Sequence, residues 1–281
     1  MIYLSTGGFS NETCLEVSEK LNHNIVRGLE LSSGKYTDTL VDDLYLISKS
    51  YNISLHNYFP VPKNPFVFNL ASNDPSILKL SLEHAKKAID ISSNFGCKYY
   101  SFHAGFLLDP LPNELGSIVK SRKLNNREKS IDIFAENSNY LADYAEKRNV
   151  KIFIENNVVS KSNFVSFGRN PSLLADPEET SHIFSRLDDN IKLLVDVAHL
   201  KVSANTLGFD PVDYLKDFEE ITAAYHISDN DGLEDSNQPF KEDSWFIEHI
   251  RKDLYYYSLE IYTSDVEVLE SQYLLMSEVL R

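Results

Sequence analysis

One pattern constrains this chain more than any other. Eight short runs rich in β-branched and aromatic residues recur along it, each followed by a stretch able to form a helix. The runs are Ile2–Ser5, Val26–Leu31, Ile53–His56, Tyr99–His103, Lys151–Glu155, Ile191–Asp196, Ala223–Ile227 and Tyr256–Tyr262. Such alternation predicts parallel strands joined by crossover helices, and eight repeats predict a single (β/α)8 TIM barrel over residues 1–281. The 281 residues suffice, because a barrel of this kind needs about 250. A hydrophobic content of 42% and a charged content of 25% are globular values, so a substantial core can be buried.

The helix starts are readable. Asp74-Pro75, Asp176-Pro177 and Asp210-Pro211 each set an N-cap aspartate before a proline at the first helical position. Behind the first, Leu78, Leu82, Ala85 and Ile89 form one apolar stripe. The last helix is expected to open on a capping box of Ser264 and Glu267, with Val266, Leu269, Tyr273, Met276 and Leu280 on one face. The longest irregular stretches, 57–73, 104–126, 156–174 and 228–244, follow strands three, four, five and seven. In a barrel these loops gather at the C-terminal face, where active sites are built.

Composition narrows the partners. A formal charge of −15 repels phosphate backbones, which argues against nucleic acid. Cys14 and Cys97 are far apart and are expected to be buried, unpaired thiols. The N-terminus lacks a basic region before an apolar run, and no stretch approaches the roughly 18 apolar residues of a membrane span. A soluble cytoplasmic protein is the expectation.

The residues that end the strands carry the chemistry. Strands three to eight close on His56, His103, Glu155, Asp196, His226 and Glu260, each after an apolar run, with His199 three residues beyond Asp196. One histidine at a strand end is ordinarily a hydrogen-bonded structural residue. Six polar ends in register are different, since buried acids repel and lose hydration unless a cation lies between them. Three carboxylates and an imidazole suit Mn²⁺ or Mg²⁺, whereas added imidazoles favour zinc. His56 and His103 could complete a second position that shares Glu155, so one ion and two both stay open.

These residues resemble the xylose-isomerase-like barrels, a superfamily of sugar and sugar-phosphate isomerases and epimerases, inosose dehydratases and zinc-dependent abasic-site endonucleases. The matching segments are Phe68-Asn69-Leu70-Ala71-Ser72, Phe95-Gly96-Cys97, Phe102-His103-Ala104-Gly105, Ile154-Glu155-Asn156, Val195-Asp196-Val197-Ala198-His199 and His226-Ile227-Ser228-Asp229-Asn230-Asp231-Gly232. The resemblance implies that Glu155, Asp196, His226 and Glu260 bind a divalent ion (Mn, Mg, Co or Zn). It further implies that Glu155 and Glu260 exchange a substrate proton through an enediolate, and that His199, His103, Asn156 and Asp231 contact the substrate. The implied substrate is a sugar or sugar phosphate. Barrels of this group often pair, which places a homodimer among the expected assemblies.

Two alternatives stand beside this reading. A zinc-dependent phosphodiesterase related to the endonucleases would use His56 and His103. Those enzymes, however, carry a D-x-H pair after strand seven where this chain has Asp235-Ser236-Asn237, and asparagine is a poor zinc ligand. A non-catalytic barrel used as a binding module would have no reason to keep mutually repelling acids. The basic segment 120–129, with Lys120, Arg122, Lys123, Arg127 and Lys129, is either a solvated helix start or an anchor for a substrate anion.

Overall fold

A computed structural model describes residues 1–114 and 119–281. Residues 115–118, inside the expected strand-four connection, lie outside the described part. The eight strands are β1 (Ile2–Ser5), β2 (Gly28–Leu31), β3 (Asn52–His56), β4 (Tyr99–His103), β5 (Lys151–Glu155), β6 (Lys192–Asp196), β7 (Thr222–Ile227) and β8 (Tyr256–Leu259). All pair in parallel and in sequence order, and β8 closes on β1. The architecture is the expected (β/α)8 TIM barrel.

Among the described residues the helices are α1 (Cys14–Lys20), α2 (Leu40–Ile47), α3 (Pro75–Asn94), α4 (Arg127–Glu146), α5 (Lys161–Phe167), α6 (Pro177–Phe184), α7 (Val197–Leu207), α8 (Pro211–Asp217) and α9 (Val266–Val279). Asp74, Asp176 and Asp210 cap α3, α6 and α8 as their sequences require, each carboxylate accepting from a first-turn amide. The last helix differs by one residue. Asp265, not Ser264, is its cap and accepts from the amides of Glu267 and Val268. The single oxygen Oδ1 of Asp265 takes both amides, which places the cap one position after the serine. Cys14 and Cys97 are buried and free.

Side-chain alternation along the strands sorts the interior. Outward residues such as Leu29, Leu55, Phe102, Ile154 and Val195 are buried in the layer between strands and helices. Inward residues fill the barrel in tiers. At the N-terminal end Tyr3, Phe153, Leu194, Ala224 and Tyr256 form a small separate core. Tyr3 meets Tyr256 edge-on at 5.6 Å, and Tyr99 stacks on Phe153 at 5.2 Å. This aromatic floor leaves the polar strand ends facing the other way.

On α3 the buried face runs through Ser81, His84, Ala85 and Ala88, with Leu78 and Leu82 at its edge. His84 donates from Nε2 to the Asn57 carbonyl at 3.2 Å and stacks on Tyr58. Burial pushes its pKa down to about 4, against the opposing pull of that carbonyl. The unfolded chain therefore takes up this proton first, near the ordinary histidine value of about 6.5. The neutral ring contributes its full stability above that pH, and the contribution is lost as pH falls towards 4, by about 3 kcal/mol. His84→Phe is expected to flatten the acid limb of urea-unfolding stability between those pH values. The Asn57 carbonyl keeps a bond from the Tyr100 hydroxyl at 2.9 Å in that variant. Parallel limbs in the two proteins would refute the assignment.

Candidate metal centre

The strand ends converge on Glu155. Its Oε2 lies 3.2 Å from His56 Nε2 and 3.6 Å from His103 Nδ1. Its Oε1 lies 3.3 Å from both His226 Nδ1 and His199 Nδ1. From β8, Glu260 brings Oε2 to 3.0 Å from His226 Nδ1, and from β6, Asp196 Oδ2 stands 4.0 Å from the same nitrogen. One donor atom from each of Glu155, Asp196, His226 and Glu260 falls within 4.8 Å of the others. His56, His103 and Glu155 form an overlapping group on the same criterion.

Glu155, Asp196 and His226 are fully enclosed, and Glu260 is nearly so. Four of the six separations have hydrogen-bond lengths, yet Glu155 Oε1 and Oε2, Asp196 Oδ2, Glu260 Oε2, His226 Nδ1, His56 Nε2 and His103 Nδ1 all lack a properly aligned partner. Orphaned buried polar atoms are rare and costly. Donors that crowd together without pointing at one another are arranged about a shared centre. A cation at that centre would satisfy them, and a set with three carboxylates and an imidazole is chemically suited to a divalent ion.

The protonation balance agrees. Burial pushes the Asp196 carboxyl up to about 7, with Glu155, Asp235 and Glu260 adding to the rise and His199 opposing it. Burial acts the same way on Glu155, but the imidazoles of His103, His226 and His56 outweigh it and hold that carboxyl well below its usual range. The acids are thus driven apart, as expected of like charges confined together.

The sequence matches the profile of the xylose isomerase-like TIM barrels over residues 27–270. The chain belongs to that family. No curated protein matches it by sequence. Among solved structures it is similar to a D-tagatose 3-epimerase-like protein, with 18% identity and a TM-score of 0.73 over 99% of this chain and 96% of that one. An L-ribulose 3-epimerase gives 14% identity and a TM-score of 0.71 over 99% and 94%. A protein from Thermus thermophilus, soaked with zinc chloride, gives 18% and 0.64 over 99% and 98%.

Within this xylose isomerase-like barrel, local chain chemistry explains how each side chain is aimed. Asp196 both ends β6 and caps α7: its Oδ1 accepts from the His199 amide at 2.8 Å, leaving Oδ2 for the centre. His199 bridges the Asn156 carbonyl at 3.0 Å and Asp235 Oδ2 at 3.1 Å, so both ring nitrogens are engaged at the margin of the site. His56 is steadied from below, because Ser101 Oγ lies 2.9 Å from its Nδ1 and also accepts from the Tyr256 hydroxyl.

Two residues expected to contact substrate stand elsewhere. The Asn156 amide is spent on the Asp196 backbone, accepting from its N–H at 2.7 Å and donating to its carbonyl at 3.2 Å. It braces a ligand-bearing strand instead of facing a ligand. Asp231 is exposed, and its carboxylate accepts from the amides of Leu233 and Glu234, a turn cap outside the cluster. The basic segment is not gathered at the site either. Arg122 grips both oxygens of Glu114, and Arg127 pairs with Glu179 and neighbouring carbonyls.

Asn156→Ala is therefore expected to lower unfolding stability by about 2–3 kcal/mol, the cost of a stranded buried N–H. Urea denaturation checks this. Unchanged stability with a raised KM would instead restore a substrate contact.

Three functional neighbours are not evident from the sequence alone. Glu30 of β2 lies fully buried beneath His226. Asp235 holds His199, although in sequence it is marked only by the D-x-N stretch. Tyr262 donates to Glu260 Oε1 at 3.0 Å, and Gly7 makes room for its ring, since a Cβ there would come within 2.9 Å. A signal for Glu30 does exist. Leu29 and Leu31 face outward in a barrel, which sends the residue between them inward.

Proposed function

We propose that this chain, as one domain over residues 1–281, is a divalent-metal-dependent isomerase or epimerase of a sugar or sugar phosphate. The observation that carries the proposal is the approach of Glu155 and Glu260 to one imidazole nitrogen, at 3.3 and 3.0 Å, from strands β5 and β8. Two carboxylates so arranged can serve opposite faces of one carbon. Similarity to a D-tagatose 3-epimerase-like protein and an L-ribulose 3-epimerase supports the substrate class.

Glu155, Asp196, His226 and Glu260 would hold the ion, whether Mn, Mg, Co or Zn. Bound there, it would polarise the carbonyl and hydroxyl of a ketose and lower the cost of an enediolate. The chain's own residues do the rest. One glutamate takes the proton from the carbon next to the carbonyl, and the other returns a proton to the opposite face. His199, fixed by Asp235 and the Asn156 carbonyl, keeps its ring at the margin of the site where a substrate hydroxyl would lie. Enclosure of the carboxylates keeps bulk water away from the transferred proton.

A second reading, a zinc-dependent phosphodiesterase, is favoured by the overlapping His56–His103–Glu155 group. One experiment separates them. Metal-loaded protein is incubated with a panel of ketoses and ketose phosphates in deuterated water, in parallel with a duplex bearing an abasic site. Interconversion of one sugar, with deuterium at the altered carbon, supports the proposal. Duplex cleavage with more than one zinc bound, and no sugar turned over, overturns it in favour of the hydrolase.

A further inference from the structure

Below the four converging residues, the interior holds the carboxylate of Glu30, which is 0% exposed. Its Oε1 lies 2.9 Å from His226 Nε2, across the ring from the Nδ1 that faces Glu260, Glu155 and Asp196. In the strand ladder its neighbours are Ser5 and Ser54, whose small side chains leave room for it. Taking a carboxylate out of water costs several kcal/mol unless it has a charged or strongly polar partner. His226 is the partner in reach. His56 stands alongside, with its ring centroid 4.7 Å from that of His226, but its Nδ1 is committed to Ser101.

The contact bears on which imidazole nitrogen keeps its proton once an ion takes the other. A lone pair on Nε2 facing a carboxylate oxygen at 2.9 Å would be repelled, so the proton belongs on Nε2. The alignment falls short of a straight hydrogen bond, and electrostatics alone set the preference. By the same rule Nδ1, facing Glu260 and Glu155 oxygens at 3.0 and 3.3 Å, turns a lone pair towards the cluster only when a cation displaces its proton, and the proton that Glu30 holds on Nε2 then stays. Histidine ligands of metals characteristically have their remote N–H held in this way by a carboxylate, carbonyl or water.

The geometry points to Glu30 as a positioning residue for the metal centre: it holds His226 in the tautomer and orientation whose Nδ1 can bind a divalent ion. The inference rests on the metal-site reading of the proposed function and extends it to β2, which supplies none of the four ligands. In this role Glu30 acts through His226. Because its carboxylate also lies within 4.8 Å of donor atoms of His56 and His226, a change in the number of ions bound by Glu30→Gln would mark it as a ligand and overturn the inference.

The test titrates Co²⁺ into metal-free protein and its Glu30→Gln variant, followed by calorimetry and by the visible bands of bound cobalt. The variant should bind the same number of ions 10- to 100-fold more weakly, the usual effect of removing such a partner. In a His226→Ala background, Glu30→Gln should weaken binding no further. Unchanged affinity in the single variant, or the same loss with and without His226, overturns the inference. If Glu30→Gln does not fold, ¹⁵N–¹H spectra of the zinc-loaded unsubstituted protein decide: a proton on His226 Nε2 upholds it and a proton on Nδ1 overturns it. Failure of the unsubstituted protein to take up Co²⁺ overturns the metal-site reading as well, and is seen before any variant is compared.

Discussion

Glu260→Gln is expected to reduce turnover of the cognate sugar by about 10²–10⁴-fold, the range supplied by a positioned acid or base. The amide matches the carboxylate in shape, and its oxygen can still accept from the Tyr262 hydroxyl that now bonds Glu260. What it lacks is charge and the ability to take a proton. Glu155→Gln should cost a similar factor, and the double variant little more than either single one, because two groups that remove one proton and deliver another at the same carbon fail as a unit. Metal uptake measured on the same samples separates a lost base from a lost ligand. If Glu260→Gln binds the ion and keeps turnover within about 10-fold, the assignment of glutamate-mediated proton transfer is wrong, since even a modest general base contributes more.

The second large effect concerns stability. Glu155, Asp196 and Glu260 sit together with unaligned oxygens, so the ion-free barrel carries repulsion that a cation would relieve. An ion present at about a thousand times its Kd stabilises the folded state by about 4 kcal/mol. For a chain of this size that corresponds to roughly 8–16 °C in melting temperature. Chelation should produce that drop, and restoring Mn²⁺ or Co²⁺ should reverse it.

The drop should also depend on pH. In the ion-free protein the folded-state pKa of Asp196 is raised above its unfolded value, to about 7. Its contribution is therefore fully present below the unfolded value near 4 and is lost as pH rises through 7. The Asp196 share of the chelated protein's stability is accordingly smallest, and the rescue by metal greatest, on the alkaline side of 7. Asp196→Asn should raise the melting temperature of the chelated protein and abolish the response to metal. A melting temperature indifferent to both chelation and added metal would mean that no ion belongs in the barrel.

The strand-end histidines and carboxylates were legible from sequence because a polar residue directly after an apolar run is conspicuous, and because the loops that follow are long. The strand order and three of the helix caps were legible for a similar reason: Asp-Pro pairs and apolar runs act locally. Glu30 was not conspicuous. It lies inside a strand between two leucines, and in a half-exposed sheet that alternation would put it in water. Only closure into a barrel, whose outer face is covered by helices, turns the polar member of the pair inward. Asn156 and Asp231 are placed away from the cluster for the opposite reason. Both adjoin residues of the candidate site in sequence, but their short side chains find backbone partners first, at the Asp196 peptide and in the 231–234 turn. Arg122 and Arg127 likewise meet Glu114 and Glu179, pairings set by how the connecting loops fold and not by the basic run itself.

The aromatic floor has a kinetic consequence. With Tyr3, Tyr99, Phe153 and Tyr256 in ring contact across the N-terminal end, some stacked and others tilted or edge-on, that end of the barrel is filled and the candidate site lies on the other side. An ion seated on Glu155 and a sugar resting above it would share the same doorway, in that order inward. The ion must then arrive before the sugar and cannot leave until the sugar has gone. Exchange of bound metal with isotopically labelled metal in solution should slow as sugar concentration rises, and a saturating sugar should protect the protein from chelators that strip it readily when sugar is absent.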